Sequence, residues 1–476
     1  MFNSKTAVAR KVIPVVAQDG YAPASVVPPR IYPRSVGGLF SNWRWGMVWL
    51  TQLVFYGLPW LQWGQRQAVL FDLSARRFYI FGLVLYPQDF IYLSALLVIA
   101  ALSLFLFTAV AGRLWCGFAC PQTVYTEIFL WLEKVVEGDR SARMRRDALP
   151  WSWAWVARKG VKHFLWLALA LWTGFTFVAY FTPLKALGLE VWQINLGSWE
   201  VFWIFFYGLA TYGNAGFLRE QVCKHMCPYA RFQSAMFDKD TLIVTYDSAR
   251  GEPRGARSRQ AELSTLNLGA CVDCTLCVQV CPTGIDIRQG LQYECIGCGA
   301  CVDVCDSVMD KMAYPRGLIK YTTENALARG WTQAQTLRHV LRPRVLIYTS
   351  ILLVIVLAMG FSLAWRQPFR VDVIRDRGVM ARIVEGGRIE NVYRLQIMNA
   401  TESRQHYKVT VSGLTGLVVV SKNDLTVAAA QSGWLVLRVQ LPPDVVAGGS
   451  HSIQFSIFSN DSADFVAEKS TFMVPN

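Results

Sequence analysis

The sequence predicts an α-helical membrane protein with five transmembrane helices, a cytoplasmic domain of the two-cluster ferredoxin type and a C-terminal β-sandwich. Three observations predict it: long uncharged apolar runs, two matching runs of four cysteines, and a tail in which apolar and polar residues alternate. Of the 476 residues, 53% are hydrophobic and 13% aromatic, too apolar for an ordinary soluble chain.

About 20 helical residues cross a hydrocarbon core of about 30 Å. Uncharged runs approaching or exceeding that length lie at Trp45–Gln65, Phe90–Gly112, His163–Phe181, Val201–Leu218 and Val345–Trp365. The fourth is the shortest, and its Gly-Asn-Ala-Gly (213–216) fits a helix that faces other helices. Lys and Arg near span ends resist export, so their distribution sets orientation. Residues 1–44 hold six basic residues and residues 113–162 hold nine, with Arg140, Arg143, Arg145 and Arg146 clustered, while 66–89 hold three and 182–200 hold only Lys185. The N-terminus and the segment 219–344 are therefore expected inside and the chain beyond 366 outside. The formal charge of +14 reads as topology and attraction to anionic lipid; a nucleic-acid surface would need a soluble basic domain. The first 40 residues hold Pro23, Pro28, Pro29 and Pro33 and no apolar core of a cleavable signal, so they are expected to be a disordered tail before a retained first span. Trp43, Trp45, Trp60 and Trp63 bracket that span, as interfacial anchors or as packed aromatics.

Twelve cysteines all fall at or beyond the cytoplasmic span ends, and none in the exported tail. Disulfide scaffolding would show the reverse. Cys271, Cys274, Cys277 and Cys281 with Pro282, then Cys295, Cys298, Cys301 and Cys305, repeat the spacing C-x2-C-x2-C-x3-C. In the bacterial ferredoxin pattern the first three cysteines of a run hold one [4Fe–4S] cluster and the fourth reaches the other cluster. Cys271, Cys274, Cys277 and Cys305 are thus expected to hold one cubane, and Cys295, Cys298, Cys301 and Cys281 the second. Zinc at C-x2-C pairs does not call for eight cysteines in two matching runs. The second run ends in Asp306 where the usual pattern has Pro.

Two further pairs, Cys116/Cys120 in RLWCGFACP and Cys223/Cys227 in QVCKHMCP, close the second and fourth apolar runs. On a helix, residues four apart share a face, so each pair is expected to point one way, with Pro121 and Pro228 marking where the chain leaves helical geometry. If the two ends pack together, four soft thiols converge, a set that favours Cu(I), zinc or an iron–sulfur cluster. The bland reading is that they are small buried apolar residues. His225 and Met226 lie between the second pair and read as structural.

These residues together resemble the CcoG/FixG/RdxA family of cytochrome oxidase accessory proteins: RLWCGFACP, CKHMCP, GLQYECIGCGACVDVCD, GQRQAVLFDLSARRFYIFG and DKMAYPRGLIKY, with five spans and a β-rich tail. The resemblance covers the chain from about residue 35. It implies a bacterial inner-membrane iron–sulfur protein, N-terminus cytoplasmic and C-terminal domain periplasmic, that reduces Cu(II) to Cu(I) for assembly of the cbb-type oxidase. It also implies that the tail is immunoglobulin-like, and that the partners are copper ions, copper-handling and oxidase assembly proteins and a cytoplasmic electron donor, with a homodimer left open. The C-x3-C-P plus ferredoxin arrangement also resembles electron-transfer subunits of periplasmic nitrate and nitrous oxide reduction systems, which lack this tail.

YRLQIM (393–398), YKVTVSG (407–413), LTGLVVVS (414–421), WLVLRVQL (434–441) and HSIQFSIFS (451–459) alternate as half-buried strands do. The stretch TQAQTLRHVLRPR is expected to be an amphipathic helix on the membrane surface. The organisation that follows is a tail over 1–42, four spans with the C-x3-C-P motifs over 43–218, the cluster domain over 219–344, the fifth span over 345–366 and the β domain over 367–476. The mechanism expected is an electron relay from a cytoplasmic donor through two cubanes to copper at Cys116, Cys120, Cys223 and Cys227. A version in which those thiols cycle through disulfides stays open. So do two other classes, a quinone-linked electron-transfer subunit and a copper chaperone or assembly scaffold. No G-x-G-x-x-G after a strand and no C-x-x-C-H appears, so donor and flavin must come from elsewhere.

Overall fold

The computed structural model describes residues 31–260, 267–376, 378, 381–443, 445–461 and 464–475. Among these the chain forms two compact units, one of residues 31–60 and 94–356, the other of residues 61–93 and 357 onward. Most of the expected tail, with Pro23, Pro28 and Pro29, lies outside the described residues; residues 31–38 are tied down instead, with Arg34 N–H donating to Gln279 O at 2.9 Å.

Helix α1 (Leu39–Gly57) starts six residues before the expected Trp45 and ends well short of Gln65. Gly57 and Pro59 stop it, and a short helical turn Leu58–Trp60 follows. Among the described residues four helices are long and apolar enough to cross a membrane, Pro87–Ala111, Trp153–Val178, Ser198–Leu218 and Pro343–Ala364; α1, which carries Arg44, is not among them. In order after α1 come α2 (Phe90–Ala111), α3 (Leu114–Phe118), α4 (Pro121–Glu137), α5 (Trp153–Val178), α6 (Ser198–Gly213), α7 (Pro228–Met236), α8 (Ala300–Met312) and α9 (Pro343–Ala364).

Helix α5 begins ten residues before the expected His163. Ser152 caps it by accepting from Trp155 N–H, and the Lys159 and Lys162 charges that hydropathy excludes are matched by Glu133, Glu137 and Asp147 at 2.9 to 3.7 Å. Helices α5 and α6 cross where side chains are smallest: a Cβ on Gly174 would sit 2.2 Å from Ile204 O. Of the expected Gly-Asn-Ala-Gly contact, Ala215 and Gly216 are buried, Gly216 against the Trp166 ring, while Gly213 faces open space. The expected surface helix before α9 shrinks to Gln333–Arg338, because Pro343 disfavours helical geometry just before it. Arg342 and Arg344 pin the start of α9 through Ala109 O, Asp240 O and Met236 O.

The second unit contains an element the sequence reading passed over. Strands β1 (Val69–Asp72), β2 (Arg77–Ile80) and β3 (Leu83–Leu85) form an antiparallel meander. Their Leu70, Tyr79, Val84 and Tyr86 pack with Met398 and Ala430 of the tail. Tyr86 Oη donates to Asn399 O at 2.8 Å, and buried Asp89 lies between Arg366 and Arg370. A further pair in the first unit, β4 (Ile243–Tyr246) and β5 (Ile319–Thr322), brackets the cysteine runs.

The tail is a two-layer sandwich, as alternation predicts. β6 (Phe369–Arg375), β7 (Ile389–Asn399) and β10 (Ser432–Leu441) build one sheet; β8 (Gln405–Ser412), β9 (Asp424–Val427), β11 (Gly449–Ser459) and β12 (Phe465–Val474) build the other. Tyr393, Leu395, Ile397, Leu437 and Val439 meet Val409, Phe455 and Ile457 in its core. The expected strand 414–421 is reduced to Val418–Val419, since Gly413 and Gly416 adopt φ of +127° and +83°.

Candidate functional site

The two cysteine runs fold alike. In the first, Asp273 and Thr275 take left-handed φ of +50° and +56°; in the second, Gly297 and Gly299, at the same offsets from the leading cysteine, take +65° and +73°. These turns curl each loop so that its thiols converge on one point. The residue types differ because the surroundings differ: a Cβ on Gly299 would lie 2.8 Å from Phe40, and one on Gly297 3.3 Å from Arg113. Glycine is needed where another element presses on the loop.

Cys271, Cys274, Cys277 and Cys305 line one small cavity with Tyr246, Val308 and Ile319. Cys281, Cys295, Cys298 and Cys301 line a second with Val244 and Ile287, and Cys277 borders both. The fourth cysteine of each run thus stands with the first three of the other. Burial pushes the Cys277 thiol up to about 11 and Cys295 and Cys305 up to about 12, so thiolates there call for positive charge from a bound group. Among the described residues no three His, Cys, Asp or Glu side chains are grouped as one metal ion requires. Four thiols around a small apolar cavity are the donor set of a [4Fe–4S] cluster, so the residues fit that group. Asp306, where the usual pattern has Pro, accepts from Gly317 N–H at 2.9 Å and fixes the turn into β5.

The C-x3-C-P pairs are brought together, though not as helix-face neighbours. Cys116 lies in the single turn α3, whereas Cys120 is extended (φ −60°, ψ 129°) and precedes α4 with Pro121 as its first residue. Cys223 lies in a π-type turn, Val222–Met226, and Cys227 (φ −77°, ψ 111°) precedes α7, again with Pro first. The prolines begin new helices rather than end old ones, since proline lacks an N–H that the first helical turn would leave unpaired anyway. Two helix N-termini, each positive by its peptide dipoles, therefore start at these thiols. Cys116 interacts electrostatically with Cys120 and Cys223, Cys120 with Cys227, and Cys223 with both Cys120 and Cys227. Burial pushes Cys116 up to about 12 and Cys223 to about 11, with Arg113 pulling both back. Cys116 Sγ donates to Gln233 Oε1 at 3.3 Å, and Met226 is exposed.

Three residues that sequence reasoning passed over join this set to the cluster loops. A Cβ on Gly117 would lie 2.7 Å from Gly297 O and 2.8 Å from Cys298 Cα, so the first C-x3-C motif rests backbone to backbone on the second run. Buried Arg113 donates to the carbonyls of Tyr293, Cys295 and Ala230. Asp303, between Cys301 and Cys305, accepts from the Phe40 and Ser41 N–H groups at 3.1 and 2.7 Å and so caps the N-terminus of α1. Gly38 is the only residue type that fits there, because a Cβ would lie 2.4 Å from Asp303. The available signals were small: a glycine directly after Cys116, and a carboxylate inside a cysteine run.

The chain matches three family models: a 4Fe–4S dicluster domain over residues 218–324, a 4Fe–4S binding domain over 93–137, and the immunoglobulin-like fold at the C-terminus of FixG over 359–475. It is 37% identical to the nitrogen fixation protein FixG of Rhizobium meliloti over 81% of this chain and 79% of that one. It is 39% identical to protein RdxB of Cereibacter sphaeroides over 82% and 83%, and 36% identical to protein RdxA of the same organism over 87% and 89%. The crystal structure of a FixG-related protein from Vibrio parahaemolyticus aligns at 26% identity with 22% of this chain and 95% of its own, with a TM-score of 0.21.

Proposed function

The chain belongs to the FixG/RdxA family, and from that premise we propose that this membrane iron–sulfur electron-transfer protein reduces Cu(II) to Cu(I) for assembly of a cbb-type haem-copper oxidase. In this reading Cys271, Cys274, Cys277 and Cys305 hold one [4Fe–4S] cluster, Cys295, Cys298, Cys301 and Cys281 the other, and Cys116, Cys120, Cys223 and Cys227 meet copper. When bound, such clusters supply one-electron carriers whose potentials the protein tunes over roughly −700 to +450 mV. The chain's part is to hold donor and acceptor thiols in register. The observation that carries the reading is the contact of Gly117 with Gly297 and Cys298, which leaves no room for a side chain between the copper-facing motif and the second cluster loop. Arg113 spans the same junction and offsets thiolate charge at Cys116 and Cys223. Soft thiolates bind Cu(I) better than Cu(II), so binding itself favours one-electron reduction of the ion.

The fold's connectivity supports the five-span topology. The four long apolar helices lie between residues 87 and 364, and an even number of crossings returns the chain to one side, where 61–93 and the tail form one unit. Helix α1 begins against Asp303 of the cluster domain, and its 19 residues span about 28 Å, which supports reading it as the fifth crossing. Lys and Arg asymmetry then puts the cluster domain in the cytoplasm and the β unit in the periplasm. The test is anaerobic: purified protein is reduced, freed of reductant and given Cu(II). Cu(I) forming in step with the electrons lost supports the reading; a binding scaffold would stay reduced.

A further inference from the structure

Beside the thiol set, on the first unit, lies a cavity of about 530 Å³ that no step above uses. Its lining includes Lys159, Lys162, His163, Trp166, Phe217, Arg219 and Glu220, from the N-terminal part of α5, the end of the apolar helix Ser198–Leu218 and the residues just past it. Its volume is in the range of small-molecule sites, roughly 300–1,000 Å³. We infer that it binds the head of a membrane quinol, which acts as a second electron donor to the thiol set; the donor role rests on the copper reading above, the binding site does not.

Charge selects the ligand class. Lys159 is matched by Glu137 and Asp147 at 3.0 and 2.9 Å, Lys162 by Glu137 at 3.2 Å, and Arg219 by Glu133 at 2.7 Å. An anionic headgroup would find no spare positive charge, whereas a neutral carbonyl ligand needs only N–H donors. The ring environment suits a planar aromatic head: His163 stacks on Phe217 with centroids 5.9 Å apart and planes at 15°, and stands edge-on to Trp166 at 5.3 Å. Phe217 is 61% exposed and Phe164, next to His163, 69%, so the wall opens toward lipid, as a tailed ligand dissolved in the bilayer requires.

His163 Nδ1 is 2.9 Å from Tyr212 Oη, a hydroxyl that can donate or accept. The imidazole can therefore present Nε2–H to a quinone carbonyl or a bare Nε2 to a quinol hydroxyl. Glu220 lines the cavity and stands three residues before Cys223, so the chain runs directly from the cavity wall to the copper-facing thiols. The step balances as one quinol plus two Cu(II) giving one quinone, two Cu(I) and two protons. Both O–H bonds break, one proton passing to His163 and one to the Glu220 carboxylate, and both leave to water.

Purified full-length protein in nanodiscs is titrated with decylubiquinone, and Cu(II) reduction is then driven either by decylubiquinol, corrected for the protein-free rate, or by dithionite used only to reduce the protein and removed before Cu(II) is added. One saturable site is expected, weakened about tenfold by His163→Gln and by Phe217→Ala. Dithionite-driven copper reduction should be unchanged in both, which also certifies the fold. No saturable binding, or equal binding by wild type and both variants, overturns the site; so does displacement by phosphatidylglycerol in place of quinone. Saturable binding with no decylubiquinol-driven reduction, while dithionite works, overturns the donor role alone. Binding with neither donor effective overturns the copper reading and leaves the quinone site standing.

Discussion

At Arg113 one guanidinium reaches the carbonyls of Tyr293, Cys295 and Ala230 and offsets part of the rise that burial imposes on the Cys116 and Cys223 thiols, so the thiol set and the second cysteine run share a fixed charge. An ammonium cannot reproduce that planar fork. Arg113→Lys should therefore lower the thermal unfolding midpoint, by an amount matching about 1.5–3 kcal/mol of lost charged hydrogen bonding, and loosen iron retention on gel filtration. Unchanged stability and iron content would show that charge alone suffices. Glu133 works differently. Burial by itself would push its carboxyl up, but Arg219, Arg143 and Lys162 outweigh burial and hold it below the usual carboxylate range. Because the folded pKa lies below the unfolded one, this contribution is complete above the ordinary value near pH 4.5 and is lost as pH falls through the lower folded value. Acid titration of Tm should show that falling limb. Glu133→Gln should flatten it while costing about 3–5 kcal/mol at neutral pH, since three cations lose their shared partner.

Among the elements, the short turn α3 and the junction into α4 decide how close the thiol motif comes to the cluster loop. Gly117→Ala sets a methyl group against Gly297 O, an overpacking of roughly 1–3 kcal/mol that the loops can relieve only by parting. The variant should keep the visible spectrum of its clusters yet reduce Cu(II) more slowly than wild type. A wild-type rate would mean that this contact does not govern transfer. The sequence made the cysteine chemistry legible, because C-x2-C-x2-C-x3-C is a local pattern whose spacing carries the geometry. It made the sandwich legible for the same reason, through alternation in YRLQIM and HSIQFSIFS. What it hid was non-local. Nothing in VLFD and RFYI says that this meander packs on Met398 and Ala430, and nothing near Asp303 says that it caps α1. The i, i+4 argument put each cysteine pair on one helix face, whereas Cys120 and Cys227 stand extended before new helices, since C-P reads as a helix end when it stands at a helix start.

For the whole molecule, topology follows from which segments share a unit. Reporter fusions after Asn476 and within the Ser74–Arg76 turn should give one compartment, and a fusion near Arg254 the opposite one. Matching signals at Arg254 and Asn476 would overturn the five-span account. The meander makes this test stronger than charge counting, because the 61–93 segment and the tail share one compact unit.

The central claim is that Cys116, Cys120, Cys223 and Cys227 form the place where copper takes its electron. The direct measurement is the rate of Cu(II) reduction per cluster in the Cys116→Ser/Cys120→Ser and Cys223→Ser/Cys227→Ser proteins, each purified anaerobically and matched for iron and sulfide content. The account predicts that both lose copper reduction while the cluster spectrum and folded yield persist. If these cysteines only fill space, serine costs about 1–3 kcal/mol as a buried unpaired hydroxyl and lowers the yield, and the surviving protein reduces Cu(II) at the wild-type rate per cluster. That result would contradict the account.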